Sequence, residues 1–580
     1  MHRLLCPVAV ALVLAATTAQ VSANPYPNSG ILYRDMREDT LRRVLPDRNE
    51  RVSIETPAAL GAEITGPDIY VSHFVVYGND ELSDNELTDL LAPYSDKTLS
   101  SLEIQLAAAV LRDSYRARGV FAAQVYVPPQ AIVDGIVTLH VYEGVLEEAG
   151  VYLSNEGTQV TDRAINSILE ENLATGEVMK RAEFERSILL VDDLPGVTSH
   201  SVIYPGTEPG EAQFLLRAED TPRITGNVDI DNFGSYYTGE SRLGATVYFN
   251  SPTGSGDQIT LRAVTSGSDS NYFFLDYSTP ISGSGLRVGA NIDYLDYELG
   301  KQFRTTGNEG DAQSLRLFGS YPFIRSRHNN LAGRLEYAYL ALDDTSDSGD
   351  QDADRRINSL SFSVAGDYDD DRWANGETFY SAAVTAGSLD IRGGDAFKEF
   401  DRQNVGADGS FVKVNLDLAR LQHLTGNWST YVGLAGQWAN ENLDSSQTFY
   451  LGGPFSIPGY PTGQVAGDIG ANLHLDLRYD FLNLPWGGNL QASLFYTTGW
   501  VQLYKDTWDG WEAGNPIIKN NITLSSWGVN LSQSWESGLV VRGSLGSQIG
   551  DNDSENPNTG EAVDGSDDDY RAWIQAIYYF

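Results

Sequence analysis

Hydrophobic and polar positions alternate with a period of two through the chain from about residue 224 onward, in short aromatic-rich segments separated by turn residues. Segments of about 10 residues with two unlike faces suit a membrane β-barrel, with lipid on one side of the wall and water or protein on the other. No stretch beyond the N-terminus is long and apolar enough for a transmembrane helix, and a bilayer admits only helices and closed barrels. The predicted strands are 224–233, 241–250, 257–266, 272–279, 286–297, 313–322, 330–342, 357–366, 377–389, 409–419, 428–438, 471–481, 489–500, 525–533, 538–549 and 570–580. That makes roughly 16, an even number, as single-chain bacterial barrels require. Short connections (251–256, 280–285, 482–488, 534–537) alternate with long ones (343–356, 390–408, 439–470, 501–524, 551–569). Short periplasmic turns and long external loops are the rule for such barrels, and every long loop has the same parity.

The pattern changes upstream. Residues 67–144 read as strand (69–77), helix (83–91), helix (102–118), strand (121–127) and strand (135–141). In the second helix Ile104, Ala107, Ala108, Leu111 and Tyr115 recur at helical spacing and are expected to cover a small sheet. The same order returns over residues 145–220: a strand near Val151, helices 162–173 and 181–194, and strands 198–204 and 212–217. The chain therefore carries an internal repeat of about 75 residues. Before it, the mixed-charge residues 31–45, followed by Pro46, suit a short helix ended by proline, and 46–66 read as a linker. Residues 1–23 read as a signal peptide: Arg3, an apolar run over 4–16, then Val21-Ser22-Ala23, with cleavage expected after Ala23 and Ala19 as second choice.

Composition narrows the function. The formal net charge of -40, from 79 acidic and 39 basic residues, excludes a large nucleic-acid surface. A mean hydropathy of -0.28 looks soluble, yet a barrel puts lipid-facing residues only at alternate positions, and 57 glycines and 31 tyrosines suit turns and interfacial girdles. The one cysteine, Cys6, falls in the signal segment, so a mature chain would hold no disulfide and no thiolate chemistry. The acidic stretches 343–354 and 551–569 lie in long loops and lack calcium-loop spacing, so they read as solvated surface. There is no Gly-x-Ser-x-Gly or His-Glu-x-x-His motif, and His73, His140, His200, His328, His423 and His474 are scattered singly. The chain is accordingly not expected to be an enzyme, and no cofactor or metal is expected.

Particular motifs add a resemblance. Tyr115-Arg116-Ala117-Arg118-Gly119-Val120-Phe121, Val127-Pro128-Pro129-Gln130, Gly135 and Val141-Tyr142-Glu143-Gly144 resemble the first polypeptide-transport-associated (POTRA) domain of the two-partner secretion transporters, the TpsB family of haemolysin and filamentous-haemagglutinin exporters. The second repeat, with Phe184-Glu185-Arg186, Leu189-Leu190, Asp193-Leu194-Pro195-Gly196-Val197, Pro205-Gly206 and Pro209-Gly210, is similar to that family's second such domain. Asp231-Asn232, Gly234, Thr238-Gly239, Arg242, Asn250-Ser251-Pro252, Gly254 and Gly256-Asp257 resemble its barrel entrance. Each motif alone also reads as turn punctuation in any small domain.

The resemblance implies a 16-stranded antiparallel outer-membrane barrel (221–580) preceded by two α+β POTRA domains (67–144, 145–220) in the periplasm of a Gram-negative bacterium, with a plug helix (about 31–45) in the pore. It implies translocation of an unfolded exoprotein, a TpsA-like client, without nucleotide hydrolysis. The other expected partners are outer-membrane lipid and the barrel assembly machinery, which would read the terminal Phe580. The family also folds a hairpin of its sixth external loop into the lumen, tipped by Val-Arg-Gly-Tyr, whose arginine meets the aspartate of a Phe-x-Asp-x-Gly wall segment. Here these places read Ile457-Pro458-Gly459-Tyr460 and Phe495-Tyr496-Thr497-Thr498-Gly499, so Pro458 and Thr497 replace both charges and leave a neutral pair. Residues 456–464 also fit a Gly/Pro turn facing solvent. The client is expected to add as a strand beside residues 121–127, in a groove lined by Ile104, Leu111, Tyr115, Phe121, Val125 and Val127. Two other classes remain open: a barrel-assembly insertase of the same superfamily, and a diffusion porin, which has no need of the repeats.

Overall fold

The computed structural model describes residues 27–44, 54–55, 68–267, 269–347, 352–371, 375–512, 519–555 and 561–580. The expected leader and most of the expected linker lie outside these residues.

Helix α1 (Ser29–Val44) comes first, its start marked by Asn28, whose side chain accepts from the Ile31 amide at 3.0 Å. The next unit holds β2 (Ile69–Val71), β3 (His73–Tyr77), α2 (Asp84–Leu91), β4 (Lys97–Leu99), α3 (Ser101–Ala117), β5 (Gln124–Tyr126) and β6 (Ile136–Tyr142). Ser100 and Glu103 cap α3 reciprocally, the carboxylate accepting from the Ser100 amide at 2.7 Å and the Ser100 hydroxyl from the Glu103 amide at 3.3 Å. The segment read as one strand over 69–77 is two. The Ser72 amide turns to the carbonyl of Gly135 at 2.7 Å, so β2 pairs with β4 while β3 runs parallel to β6. The sheet order is β3-β6-β5. Ala107, Ala108, Leu111 and Tyr115 of α3 are buried against its inner face.

The second unit comprises β7 (Val145–Asn155), α4 (Asp162–Asn172), α5 (Arg181–Asp192), β8 (Val197–Pro205) and β9 (Glu211–Asp220) around a core that includes Ile165, Phe184, Leu190, Phe214 and Leu216. Its outer strand was not foreseen: β1 (Ile54–Glu55), from the expected linker, runs parallel along β8 and covers that edge.

The barrel consists of β10 (Ile224–Asp231), β11 (Arg242–Asn250), β12 (Gln258–Thr265), β13 (Ser270–Pro280), β14 (Arg287–Glu298), β15 (Glu309–Arg325), β16 (Asn329–Thr345), β17 (Ala353–Asp370), β18 (Gly376–Gly393), β19 (Gly409–His423), β20 (Trp428–Ala439), β23 (Ile469–Phe481), β24 (Asn489–Gln502), β25 (Asn521–Ser534), β26 (Leu539–Gln548) and β27 (Tyr570–Tyr579). All sixteen pair antiparallel into one closed sheet, as the alternation predicts. The period of two is visible in the wall: Leu315 and Leu317 face outward and are exposed, while Ser314 and Arg316 between and beside them are buried inside. Trp428, Tyr479 and Phe481 meet edge to face at one rim, with centroids 4.8 and 4.6 Å apart, in the manner of an interfacial girdle. The barrel closes where β10 meets β27, and Gly226 and Phe580 exchange backbone hydrogen bonds of 3.0 Å. A side chain on Gly226 would come within 2.7 Å of the Phe580 ring.

The second unit is fastened to the short turns. Arg325 grips the Asp193 carboxylate with two bonds of 2.9 and 2.7 Å, Arg186 donates to the Ser284 carbonyl at 2.8 Å, and the Thr161 amide to that of Gly254 at 2.9 Å. The short-turn rim is thus the rim that carries the sheet-and-helix units.

Candidate functional site

The lumen is occupied from two directions. Helix α1 lies inside the barrel against β14, β15 and β16, with Ile31, Leu32, Tyr33 and Met36 buried. Its sequence, SGILYRDMREDTLRRV, has no clean apolar stripe because a barrel interior surrounds it with polar wall on several sides. Leu32, Tyr33 and Met36 meet an aromatic layer that includes Tyr237, Tyr272, Phe274 and Tyr297.

Charge fixes its register. Arg37 binds Asp293 of β14 at 2.9 Å, and Tyr33 donates to the same carboxylate at 3.3 Å. Asp39 faces Arg242 of β11 at 3.3 Å and Arg262 of β12 at 3.7 Å. The Ser29 amide and hydroxyl donate to Asp344 of β16 at 2.8 and 2.9 Å. Beside the helix a cavity of about 900 Å³ is lined by charged groups including Arg37, Glu38, Arg334, Glu336 and Lys413.

The long segment between β20 and β23 supplies the second occupant. It folds into a hairpin of β21 (Phe449–Leu451) and β22 (Val465–Gly467), and Ile457, Pro458, Gly459 and Tyr460 at its far end are all buried. The structure therefore places these residues inside the protein rather than in a solvent-facing turn. Trp573 of β27 donates its indole N–H to the Pro458 carbonyl at 2.8 Å. A side chain on Gly546 of β26 would meet the Gly459 nitrogen at 2.7 Å, and one on Gly459 would meet Ser526 at 2.8 Å, so the backbones are in direct contact. Ile457 and Tyr460 pack with Leu451, Val465, Val501, Leu503, Ile522 and Leu524.

On the wall facing this tip, Phe495 is buried and stacks on His474 at 6.1 Å. Thr497 is fully buried and its hydroxyl pairs with that of Ser526 at 2.8 Å. A side chain on Gly499 would strike Leu451 at 2.5 Å and Ile457 at 3.1 Å. The two motifs are thus brought to the same patch of wall, filled by neutral groups. The helix and the hairpin are also joined: Arg34 donates to the Thr448 hydroxyl at 2.7 Å and lies 4.5 Å over the Tyr450 ring, and Ser445 donates to Asn28 at 2.9 Å.

The hairpin's return arm carries a titratable anchor. Asp468, between β22 and β23, is buried and accepts the backbone amides of Leu443 at 3.0 Å and Lys505 at 2.8 Å. Burial outweighs these bonds and pushes its carboxyl up to about 7. The folded form therefore holds the proton more tightly than an unfolded chain does. Its stabilisation is complete at low pH, declines between the ordinary value of 3.8 and about 7, and is flat above. Opening events in planar bilayers are expected to be more frequent at pH 8 than at pH 5, and Asp468→Asn to flatten that dependence; equal slopes in both proteins would contradict it.

The residues read as a client groove are distributed differently. Ile104, Leu111 and Tyr115 are buried on α3 and form the core under the sheet, whereas Phe121 is buried in the core of the second unit, against Phe184 at 5.7 Å. Val125 of β5 and Val127 just beyond it are half-buried. Of residues 121–127 only Gln124–Tyr126 form a strand, because Phe121 turns into the core of the second unit and Ala123 into that of the first.

The opposite face of the sheet carries an outward row of aromatic rings. Tyr77 of β3, His140 of β6 and Tyr126 of β5 stand side by side in register, their centroids 5.7 Å apart at each step, and Tyr142 stacks on Tyr126 at 5.8 Å and 6°. The alternation in Ile136–Tyr142, which buries Val137, Leu139 and Val141, was the available signal that His140 and Tyr142 point outward. Phe580, named as an assembly signal, is exposed at the seam.

A closed sixteen-strand barrel holding a helix and an inward hairpin, with small sheet-and-helix units on its short-turn rim, defines a POTRA-bearing transporter of the outer membrane, the POTRA units lying in the periplasm. Residues 69–144 match the POTRA domain, ShlB-type, and residues 210–517 match the haemolysin secretion/activation protein ShlB/FhaC/HecB family. The chain belongs to that family and is a two-partner secretion pore. It is similar to the heme/hemopexin transporter protein HuxB of Haemophilus influenzae (strain 86-028NP), with 26% identity over 568 residues, 97% of this chain and 96% of that one. The outer membrane transporter CdiB of Escherichia coli is 24% identical over 556 residues, 91% of this chain and 89% of the relative. Among solved structures, CdiB from Escherichia coli superposes with a TM-score of 0.69 at 20% identity over the whole of both chains, and CdiB from Acinetobacter baumannii with 0.60 at 13%, a likeness of fold.

Proposed function

We propose that an unfolded secreted partner protein is captured at the first periplasmic unit by pairing with β5, that its side chains stack on the row formed by Tyr77, His140, Tyr126 and Tyr142, and that α1 then leaves the lumen so that the client can pass. Strand addition needs little of the client's sequence, since the backbone supplies the hydrogen bonds. The observation that carries this reading is the placement of β5: it is an edge strand beside an outward aromatic row, whereas the β8 edge of the second unit is already covered by β1. Ile104, Leu111 and Tyr115 support the sheet from beneath, Phe121 ties this unit to the core of the second, and Val125 and Val127 flank the edge. Folding of the client outside drives transport, with no nucleotide step, and the barrel assembly machinery inserts the barrel itself, reading Phe580.

The test is a photo-reactive residue at position 126 in the full chain, in cells that export the client. One secreted protein is expected in the adduct, and Tyr126→Ala with Tyr142→Ala is expected to weaken capture about two- to tenfold, at roughly 0.5–1.5 kcal/mol per aromatic contact. Adducts with many outer-membrane barrels would instead favour an insertase. Deleting residues 29–44 is expected to raise single-channel conductance without preventing insertion, and unchanged conductance would refute gating by α1.

A further inference from the structure

Four wall charges that α1 touches each also have a partner of opposite sign in the wall itself. Asp293 binds Arg37 of the helix at 2.9 Å and Arg316 of β15 at 2.7 Å. Arg242 meets Asp39 at 3.3 Å and Asp231 of β10 at 2.8 Å. Arg262 meets Asp39 at 3.7 Å and Asp229 of β10 at 2.9 Å. Asp344 takes the Ser29 amide at 2.8 Å and Arg355 of β17 at 2.5 Å, and Arg355 in turn reaches Asp444 at 2.6 Å. In all four places the wall partner is nearer than the helix group, and the side chains of Arg262, Asp229, Asp231 and Asp293 are at most 1% exposed.

We infer that Asp229, Asp231, Arg316 and Arg355 are resident counter-ions: they hold the helix-facing charges of the wall when α1 departs, so that the lumen can empty without stranding a buried charge. A lumen that relied on α1 alone for neutralisation would bind it tightly but could release it only by leaving uncompensated ions in the wall, which is the expensive way to break a buried pair. With a nearer wall partner already in place, the helix groups of these four contacts that lose a partner on release are Arg37, Asp39 and Ser29, and these travel with the helix toward water. The helix is thereby positioned by charge yet free to go. This inference rests on the reading of α1 as a removable plug.

It makes the two arginines on one carboxylate act in opposite directions. Removing Arg37 weakens the plugged state alone, because Asp293 keeps Arg316. Removing Arg316 weakens the unplugged state more, because Asp293 then depends on a cation that must leave. Arg316 is a positioning residue in this sense, and the sign of the effect separates the role from a structural one, which would loosen the barrel and its plug together.

The experiment compares the full-length wild type, Arg37→Gln, Arg316→Gln, the double variant and an α1-deleted chain in planar bilayers, each first checked for a heat-modifiable barrel. Arg37→Gln is expected to open several-fold more often and Arg316→Gln about tenfold less often or rarer still. The double variant should return toward the wild type, and removal of α1 from Arg316→Gln should leave it constitutively open. Arg316→Gln opening as often as the wild type, or more often, overturns the inference. Unchanged conductance on deleting α1 would instead show that the plug reading had failed, and the inference with it. Should Arg316→Gln not assemble, Asp231→Asn on the Arg242 side poses the same question: rarer opening supports the resident role, and equal or more frequent opening overturns it.

Discussion

Replacing Pro458 with Arg is expected to cost the barrel roughly 3–5 kcal/mol, because the new guanidinium would be buried without an anion. The Pro458 carbonyl takes the Trp573 indole, and the facing Thr497 is fully buried and engaged with Ser526, so these contacts of the tip are neutral. Gel-shift melting should show a lowered transition, and export should fall. Adding Thr497→Asp to the same chain should recover much of the loss, with a coupling of about 0.5–3 kcal/mol, as contacting residues show. Strictly additive effects in the single and double variants would mean that these positions do not meet.

The second large effect is steric. A Cβ on Gly546 would sit 2.7 Å from the Gly459 nitrogen and 2.8 Å from the Pro458 carbonyl oxygen, and neither backbone atom can swing aside as a side chain can. Gly546→Val should therefore push the hairpin off the wall, at a cost of about 1–3 kcal/mol for overpacking. The loss would include the Trp573 bond and the apolar contacts of Ile457 and Tyr460. Limited chymotrypsin digestion of the folded variant should cut at Tyr460, which the wild type protects. An unchanged cleavage pattern together with normal export would show that the tip tolerates displacement.

How far the structure was legible in the sequence depended on where contrast exists. The lipid wall gives each strand an apolar outer face and a polar inner one, and the strand count follows. Strand ends did not follow: β17 was read as 357–366 but runs Ala353–Asp370, because beyond the lipid band both faces are polar and the alternation fades. The break at Ser72 and the two-residue β1 depend on partners 63 and about 147 positions away, Gly135 and Ser201, and leave no local periodicity. The α3 residues were read correctly as one helical face but assigned to a groove, although a stripe at that spacing is first of all the face that covers the core. The inner charges stood at inward positions of the pattern, yet which of them pair could not be read, since Asp39 and Arg242 are separated by 203 residues. The tip and wall motifs were located by resemblance, and they approach each other at Ser526, which pairs with Thr497 and lies against Gly459.

Arg34 gives α1 and the inward hairpin a common fastening, since its guanidinium is held by Thr448 and Tyr450 at the root of the hairpin strand Phe449–Leu451. Two bodies that share a fastening do not come loose independently. Withdrawal of the helix removes support from the root of the hairpin, and a hairpin already shifted gives up part of its hold on the helix. Current traces should accordingly show one abrupt, cooperative step between closed and fully open levels, with few dwells at an intermediate level, and uncoupling the fastening should split that step into two.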